Sequence, residues 1–274
     1  MKVYFNTKAF DSLPKKSQLD ETIDIYEAEL LVLGAKPEKY DELKKLKAIY
    51  RFGVGRENIP RELIDSGVPK VFFPSERTSD ILFESTADFT TYLMFRMFYA
   101  GTEGAVDKWE KFTRNSISKK TLLVIGLGNI GKRVVAKMRP FVKITTYDII
   151  SNKPEDLRPL IENADIVSVH MSSTDQTLNF FDKEKLSWLK DDAILVNTAR
   201  GKLFDEDALF GKLSKSGVRV AFDVFWQEPY QGKLKILGPE KFHMTPHVAS
   251  QTIDYVEAGF KDILDIIKAF GGAK

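Results

Sequence analysis

The sequence predicts an α/β protein with parallel, doubly wound sheet, and three observations carry that reading. Short β-type apolar runs alternate with helical stretches along most of the chain. One of these runs, Leu122 to Ile125, passes directly into a glycine-punctuated turn and then a helix. From there on, strand after strand ends on polar residues about one βα unit apart: Asp148, His170, Asn197-Thr198, Asp223 and finally His247.

Over residues 1 to 83, compact β-type runs occur at Val3 to Phe5, Ile23 to Tyr26, Leu30 to Leu33, Ala48 to Tyr50 and Val71 to Phe73. Glu38 to Lys47 and Glu57 to Asp65 read as helices between them, with Pro60 at an early position in the second. The connection from Asn6 to Thr22 contains Pro14 and scattered polar residues, which allow at most a short helix. Gly53-Val54-Gly55 lies between a strand and a helix, so its N–H groups suit an anion; spacing alone fits a plain βα loop equally well.

Glu84 to Gly101 reads as a long helix. Phe89, Tyr92, Leu93, Phe95, Met97 and Phe98 make it apolar nearly all round, which requires burial on more than one side. A subunit interface and a central core position both meet that requirement. A second helical piece carries Val106, Trp109 and Phe112, and the polar stretch Thr113 to Lys120 follows it.

Thr121 to Gly131 reads TLLVIGLGNIG. Gly126 suits the tight turn, Gly128 leaves room for a pyrophosphate, and Gly131 lets the helix pack close to the strand. The first residues of that helix, Asn129, Ile130 and Gly131, offer N–H groups to phosphate. After the helical stretch Ile130 to Met138 and the strand Ile144 to Tyr147, Asp148 stands where an acid meets a ribose 2′-OH, about 20 residues on. Strand before, helix after and acid at that distance predict a dinucleotide site. The remaining strands are Asp165 to Val169, Ala193 to Val196, Arg219 to Phe222 and Phe242 to Thr245, and their carboxyl ends form the ligand crevice of such a sheet. An amphipathic helix with Ile253, Val256, Phe260, Ile263, Ile267 and Phe270 ends the chain.

Composition narrows the functional classes. The 274 residues are 43% hydrophobic and 29% charged, ordinary globular values, and the most apolar stretch, Thr91 to Ala100, is broken by Arg96. A net charge of +2 gives no electrostatic case for nucleic acid or an anionic membrane. Zero cysteines exclude disulfides, a thiol nucleophile and thiolate ligands, and with three histidines no metal site is read. The first residues enter a strand with no long apolar leader, so the expected location is the cytoplasm.

Arg200, Asp223, Glu228 and His247 form a coherent set for chemistry beside a nicotinamide. Hydride transfer to a carbonyl needs a proton donor, and histidine has the pKa for it near neutrality. A carboxylate partner orients the ring and favours its charged form. An arginine fork suits a bidentate hold on a substrate carboxylate. Taken singly, Arg200 also fits a surface ion pair, Glu228 a loop position before Pro229, and His247 a helix cap. His243 reads as structural and His170 as a neighbour of the cofactor.

The chain resembles the D-isomer-specific 2-hydroxyacid dehydrogenases, the group that includes D-lactate, glyoxylate/hydroxypyruvate and phosphoglycerate dehydrogenases. The matching segments are RFGVGRENI from Arg51 to Ile59, Glu84 to Ala87, GLGNIG, NTARG from Asn197 to Gly201, DVFWQEP from Asp223 to Pro229, and TPHVAS from Thr245 to Ser250. The resemblance implies two Rossmann-like domains, with an NAD-binding domain at 84–253 inserted into a smaller flavodoxin-like substrate domain at 1–83 plus 254–274. It also implies a homodimer built largely on the nucleotide domains.

Carried over by motif, His247 resembles the family's acid/base, Glu228 its carboxylate partner, and Arg200 the contact to substrate carboxylate and carbonyl. Gly53, Val54 and Gly55 gain the role of offering N–H groups to that carboxylate. Asp223 matches the position that bonds the nicotinamide carboxamide and Asp148 the adenine-ribose acid, with Thr198 and His170 also on the cofactor side. The expected reaction interconverts a small 2-oxo acid and its D-2-hydroxy acid with NAD. The family also contains a transcriptional corepressor, the C-terminal binding protein, so an NADH-sensing binding role is the alternative. Two departures bear on substrate: Ser172 stands where the family usually has proline, and the substrate domain is short around Asn6 to Thr22. Arg51, Arg56 and Arg77 are candidates to receive a second anionic group.

Overall fold

The apolar runs pair in parallel throughout and form two separate sheets. The structure, a computed structural model, describes residues 1–101, 109, 111 and 113–271. It divides into two compact units, Met1–Leu82 with Gln251–Lys274, and Phe83–Ser250.

The sheet of the first unit runs β1 (Val3–Phe5), β2 (Leu30–Leu33), β3 (Ala48–Arg51), β4 (Lys70–Phe72), in that spatial order. On the free side of β1, Glu21 makes a single parallel bridge to Val3, flanked by bonds from Val3 N to Asp20 O and from Thr22 N to Val3 O, both 2.9 Å. The chain therefore steps outward from β1 before crossing back to β2. That is the reversal of a doubly wound sheet, with its outer strand reduced to one bridge.

Three local expectations for this region are corrected. Ile23 to Tyr26 is not a strand: Ile25–Glu27 is a 3₁₀ turn, and the Asp24 carboxylate accepts from Tyr26 N at 2.9 Å. The β-type residues have no strand beside them, and the aspartate offers a local alternative. Within Glu38 to Lys47 only Tyr40–Glu42 is helical, again 3₁₀. Leu43 and Leu46 are its buried leucines, a spacing that an irregular path meets as well as an α-helix does. The long helix begins earlier than Glu84: α2 covers Glu76–Phe98, because the Ser75 hydroxyl accepts from Thr78 N at 3.3 Å and caps it. Helix α1 is Arg61–Ser66, starting after Pro60 and ended by Gly67 at φ 67°. Val106 and Phe112 lie outside the described residues; Trp109 is exposed.

The second unit holds β5 (Thr121–Ile125), α3 (Asn129–Met138), β6 (Lys143–Tyr147), α4 (Leu157–Asn163), β7 (Ile166–Val169), α5 (Lys183–Ser187), β8 (Ile194–Asn197), α6 (Glu206–Lys215), β9 (Arg219–Phe222) and β10 (Phe242–Met244). Its order is β10-β9-β8-β7-β5-β6, so the winding reverses between β5 and β7. Both faces of the sheet are covered, which explains strands that are apolar at nearly every position. Leu122 and Val124 enter one core with Leu93 and Met97 of α2 and Val134 and Met138 of α3. Leu123 and Ile125 enter the other with Leu157, Ile161, Leu209 and Leu213. Helix α2 is thus a core helix on one side, while Tyr92 on another remains 49% exposed.

Helix α7 (Ile253–Gly271) returns to the first unit. Tyr255 stacks on Phe52 with ring centroids 4.3 Å apart. The Tyr50 hydroxyl, fully buried, donates to Asp262 Oδ2 at 2.8 Å, and Ser75 N donates to the same oxygen at 3.0 Å. Among the described residues no helix is long and apolar enough to cross a membrane. Tyr50→Phe removes the hydroxyl tie of α7 and is expected to cost about 1–2 kcal/mol in urea unfolding. An unchanged midpoint would show that apolar packing alone holds the helix.

Candidate active site

At the reversal of the second sheet, Gly126 takes φ 94°, and a Cβ there would stand 2.7 Å from the His170 carbonyl carbon and oxygen. Only glycine lets the ends of β5 and β7 come this close, with His170 N bonded to Ile125 O at 2.7 Å. The Asp148 carboxylate accepts from Leu127 N at 2.7 Å and from Ile150 N at 2.9 Å, which fixes the glycine turn to the end of β6. At Gly128 a Cβ would meet nothing within 4 Å. Asn129, Ile130 and Gly131 form the first turn of α3, whose N–H groups have no partner within the helix. Open approach at Gly128, a helix N-terminus and a carboxylate at the strand end fit a dinucleotide.

His170 ends β7 half-buried, its Nε2 2.8 Å from the Ser168 hydroxyl. Burial pushes its pKa down to about 3, so the ring is neutral in the physiological range. Thr198, buried after β8, shares a hydrogen bond of 2.8 Å with Thr90 of α2.

Three turns after β8, β9 and β10 carry the remaining candidates. In the first, Asn197 Oδ1 accepts from Ala199 N at 2.9 Å and its Nδ2 donates to Arg200 O at 2.8 Å, fixing the turn that presents Arg200. Arg200 Nη1 donates to Ala199 O at 2.6 Å. A Cβ on Gly201 would stand 2.1 Å from the Phe225 carbonyl carbon, so this turn lies backbone against backbone with the second. In the second turn Glu228 Oε1 accepts from Phe225 N at 3.1 Å, and Oε2 lies 2.8 Å from His247 Nδ1 on the third. Burial works to raise the Glu228 pKa; the bond and charge of His247, the Phe225 N–H and the Arg200 guanidinium outweigh it and hold the carboxyl below its ordinary value. His247 sits at φ 53°, a left-handed backbone uncommon outside glycine.

Asp223 ends β9 fully buried. Its Oδ1 accepts from the Thr245 hydroxyl at 2.6 Å and Val248 N at 3.0 Å, and its Oδ2 from Ala249 N at 2.9 Å. Burial raises its pKa despite these bonds and the nearby His247. The carboxylate therefore holds the turn that carries His247, a role the sequence reading missed along with those of Thr245, Asn197 and Ser168. Their signal was their place within TPHVAS and NTARG, and two residues before the strand-end histidine.

In the first unit Gly53 has φ 138° and Val54 is 40% exposed, with Gly55 completing the loop after β3. Arg51 is corrected as a candidate for a second anion: it is 9% exposed, and its Nε donates to Gly55 O at 3.1 Å and its Nη1 to Phe52 O at 2.5 Å. The apolar strand pulls this arginine inward, and loop carbonyls satisfy it.

Two outcomes follow from these contacts. Asp223→Asn places an NH₂ donor against an N–H donor, so amide exchange at Val248 and Ala249 should quicken by about tenfold or more. Unaltered exchange would mean that the turn is held by other contacts. His170→Gln should leave the pH profile of turnover unmoved between about pH 5 and 9, since this ring does not titrate there. A displaced limb would contradict the neutral assignment.

Residues 92–249 match the model of the D-isomer specific 2-hydroxyacid dehydrogenase NAD binding domain. A glyoxylate reductase of Thermofilum pendens is 29% identical over an alignment covering 93% of this chain and 82% of that protein. A hydroxypyruvate reductase of Thermotoga maritima is 32% identical, covering 80% and 78%. The crystal structure of a D-lactate dehydrogenase from Aquifex aeolicus, complexed with NAD and lactic acid, superposes with a TM-score of 0.82 at 23% identity, over 99% of this chain and 96% of that one, a likeness of fold. The chain belongs to the D-isomer specific 2-hydroxyacid dehydrogenase family and is an NAD-dependent 2-hydroxyacid oxidoreductase.

Proposed function

We propose that the protein reduces a small 2-oxo acid to the D-2-hydroxy acid, and oxidises it in reverse, with His247 as acid/base, Glu228 as its partner and Arg200 on the substrate carboxylate and carbonyl. The observation that carries this reading is the 2.8 Å contact between Glu228 Oε2 and His247 Nδ1. With Nδ1 committed to the carboxylate, Nε2 is the nitrogen that exchanges a proton with substrate. NADH, when bound by the residues named below, would supply a hydride to the carbonyl carbon. His247 gives its Nε2 proton to the oxygen as negative charge develops there, and Glu228 stabilises the imidazolium beforehand. The Arg200 fork orients the carboxylate and polarises the carbonyl, while the N–H groups of Gly53, Val54 and Gly55 take the carboxylate. Gly126, Gly128, Asn129, Ile130 and Gly131 hold the pyrophosphate, Asp148 the adenine ribose, and His170, Thr198 and Asp223 line the cofactor side. The cytoplasm, where NADH turns over, is the proposed location.

Asp148 favours NAD over NADP, because its carboxylate accepts from a ribose 2′-OH and repels a 2′-phosphate. Its neighbours Ile149 and Ile150, the latter 93% exposed, bring no cation. We also propose a homodimer through α2. Tyr92 and Phe141 are exposed there beside Phe89 and Phe95, with Phe95 edge-on to Phe141 at 5.2 Å, an aromatic patch suited to a second copy.

NADH oxidation against glyoxylate, hydroxypyruvate, pyruvate and bulkier 2-oxo acids tests the reading. Turnover of a member supports it; NADH binding without turnover of any would favour the sensing role. Reductive kcat/KM should fall and oxidative kcat/KM rise with increasing pH, and Glu228→Gln should lower both by releasing the ring from the 2.8 Å contact that orients it. His247→Ala should lose about 10²–10⁴-fold in kcat with NADH binding retained. Near-normal turnover would remove this histidine from the mechanism. Sedimentation should show a dimer, and Tyr92→Glu should shift it toward monomer; a monomeric wild type would dismiss the interface.

A further inference from the structure

The turn that holds Glu228 is itself held, by contacts that the chemistry above does not use. Glu228 Oε1 accepts from the Phe225 N–H while Oε2 faces His247, so the carboxylate keeps its aim as long as the turn stays folded on itself. Tyr230, just beyond Glu228 and Pro229, closes that turn. Its ring stacks on Phe225, with centroids 5.0 Å apart and planes 20° from parallel. Its hydroxyl donates to Glu206 Oε1 at 2.6 Å and accepts from Leu234 N at 3.2 Å. A Cβ on Gly232 would overlap both the hydroxyl and the Glu206 carboxylate, so the glycine leaves the space in which they meet.

Glu206 is well anchored in turn. It opens α6, whose first turn Asp205 caps by accepting from Ala208 N at 2.9 Å. The chain between Arg200 and that helix grips the Glu228 turn at further points: Gly201 lies against the Phe225 carbonyl, Trp226 Nε1 donates to Phe204 O at 2.6 Å, and Asp207 pairs with Lys233. Asp207 is mostly exposed, and its pair adds little. The Tyr230–Glu206 bond is part-buried and charge-assisted, which makes it the stronger tie. The turn that presents Glu228 is thereby locked to the one that presents Arg200.

We propose that Tyr230 is a positioning residue for the proton chemistry, acting through Glu228. Its ring and hydroxyl hold the turn in the shape that keeps the carboxylate on His247 Nδ1. This rests on the reading of His247 and Glu228 as acid/base and partner. A carboxylate displaced by about 1 Å no longer fixes the imidazole, and misplacement on that scale costs up to about 10²-fold in rate.

The test combines steady-state kinetics on the 2-oxo acid turned over best with ¹⁵N spectra of His247, for wild type, Tyr230→Phe, Glu206→Gln, Glu206→Ala and the double variant Tyr230→Phe/Glu228→Gln. Tyr230→Phe keeps the stack and loses both hydroxyl bonds. It should lower kcat by about tenfold with NADH binding unchanged, and shift part of the neutral His247 ring's proton from Nδ1 to Nε2. Glu206→Ala should do the same, and Glu206→Gln, which keeps an acceptor oxygen, should retain most of the activity. In the Glu228→Gln background Tyr230→Phe should cost less than about twofold, because the group it positions is already gone. Wild-type kcat in Tyr230→Phe, an unchanged tautomer, or losses that multiply in full with Glu228→Gln would each overturn the inference and leave the His247 reading intact. A Glu228→Gln enzyme with normal turnover and an unchanged tautomer would overturn both.

Discussion

A carboxylate with no solvent exposure stands at the end of β9, and the proposed proton chemistry depends on how it is satisfied. Removing Asp223 from water is costly, and its raised pKa records that cost. Three donors offset it, and all three come from residues 245–249. The buried charge thus acts as a clamp on the turn that holds His247. Glu228 sits on the turn that leaves the same strand, five residues beyond Asp223 in sequence. Both members of the pair, 2.8 Å apart, are therefore referenced to one strand end.

The sheet supplies the rest of the geometry. With every strand parallel, all carboxyl ends of the second unit face one edge, and the reversal between β5 and β7 opens a crevice there. Environment then separates the two histidines near that edge. His170 has a hydroxyl partner and enough burial to stay neutral, so it can accept or donate a hydrogen bond without changing charge. His247 is 42% exposed at its side chain and faces a carboxylate held below its usual pKa, the surroundings a proton carrier needs.

Much of this was legible in the residues because parallel strands buried on both faces give uninterrupted apolar runs, and the residue ending each run falls at the crevice. Leu122 to Ile125 and Arg219 to Phe222 show this, and the glycine turn, NTARG and TPHVAS carry the candidate groups in order. The first unit was less readable. Its outer strand survives as one bridge at Glu21, too little to leave a pattern, and Ile23 is β-type yet nearly fully exposed. Nor does a sequence show which way an arginine turns: Arg51 and Arg56 flank the same loop, and only tertiary contacts send one inward and hold the other outside. Asp223 was seen as polar at a strand end, but its three partners lie more than twenty residues away.

With three histidines in the chain, ¹⁵N imidazole spectra across a pH titration can be assigned by single substitutions, and they address the central claim most directly. The account predicts that the neutral His247 ring carries its proton on Nδ1, toward Glu228, with Nε2 bare, that Glu228→Gln disturbs this tautomer, and that His170 stays neutral until the pH approaches about 3. A neutral His247 ring with its proton on Nε2, or a tautomer unchanged in Glu228→Gln, would contradict the pairing on which the mechanism rests.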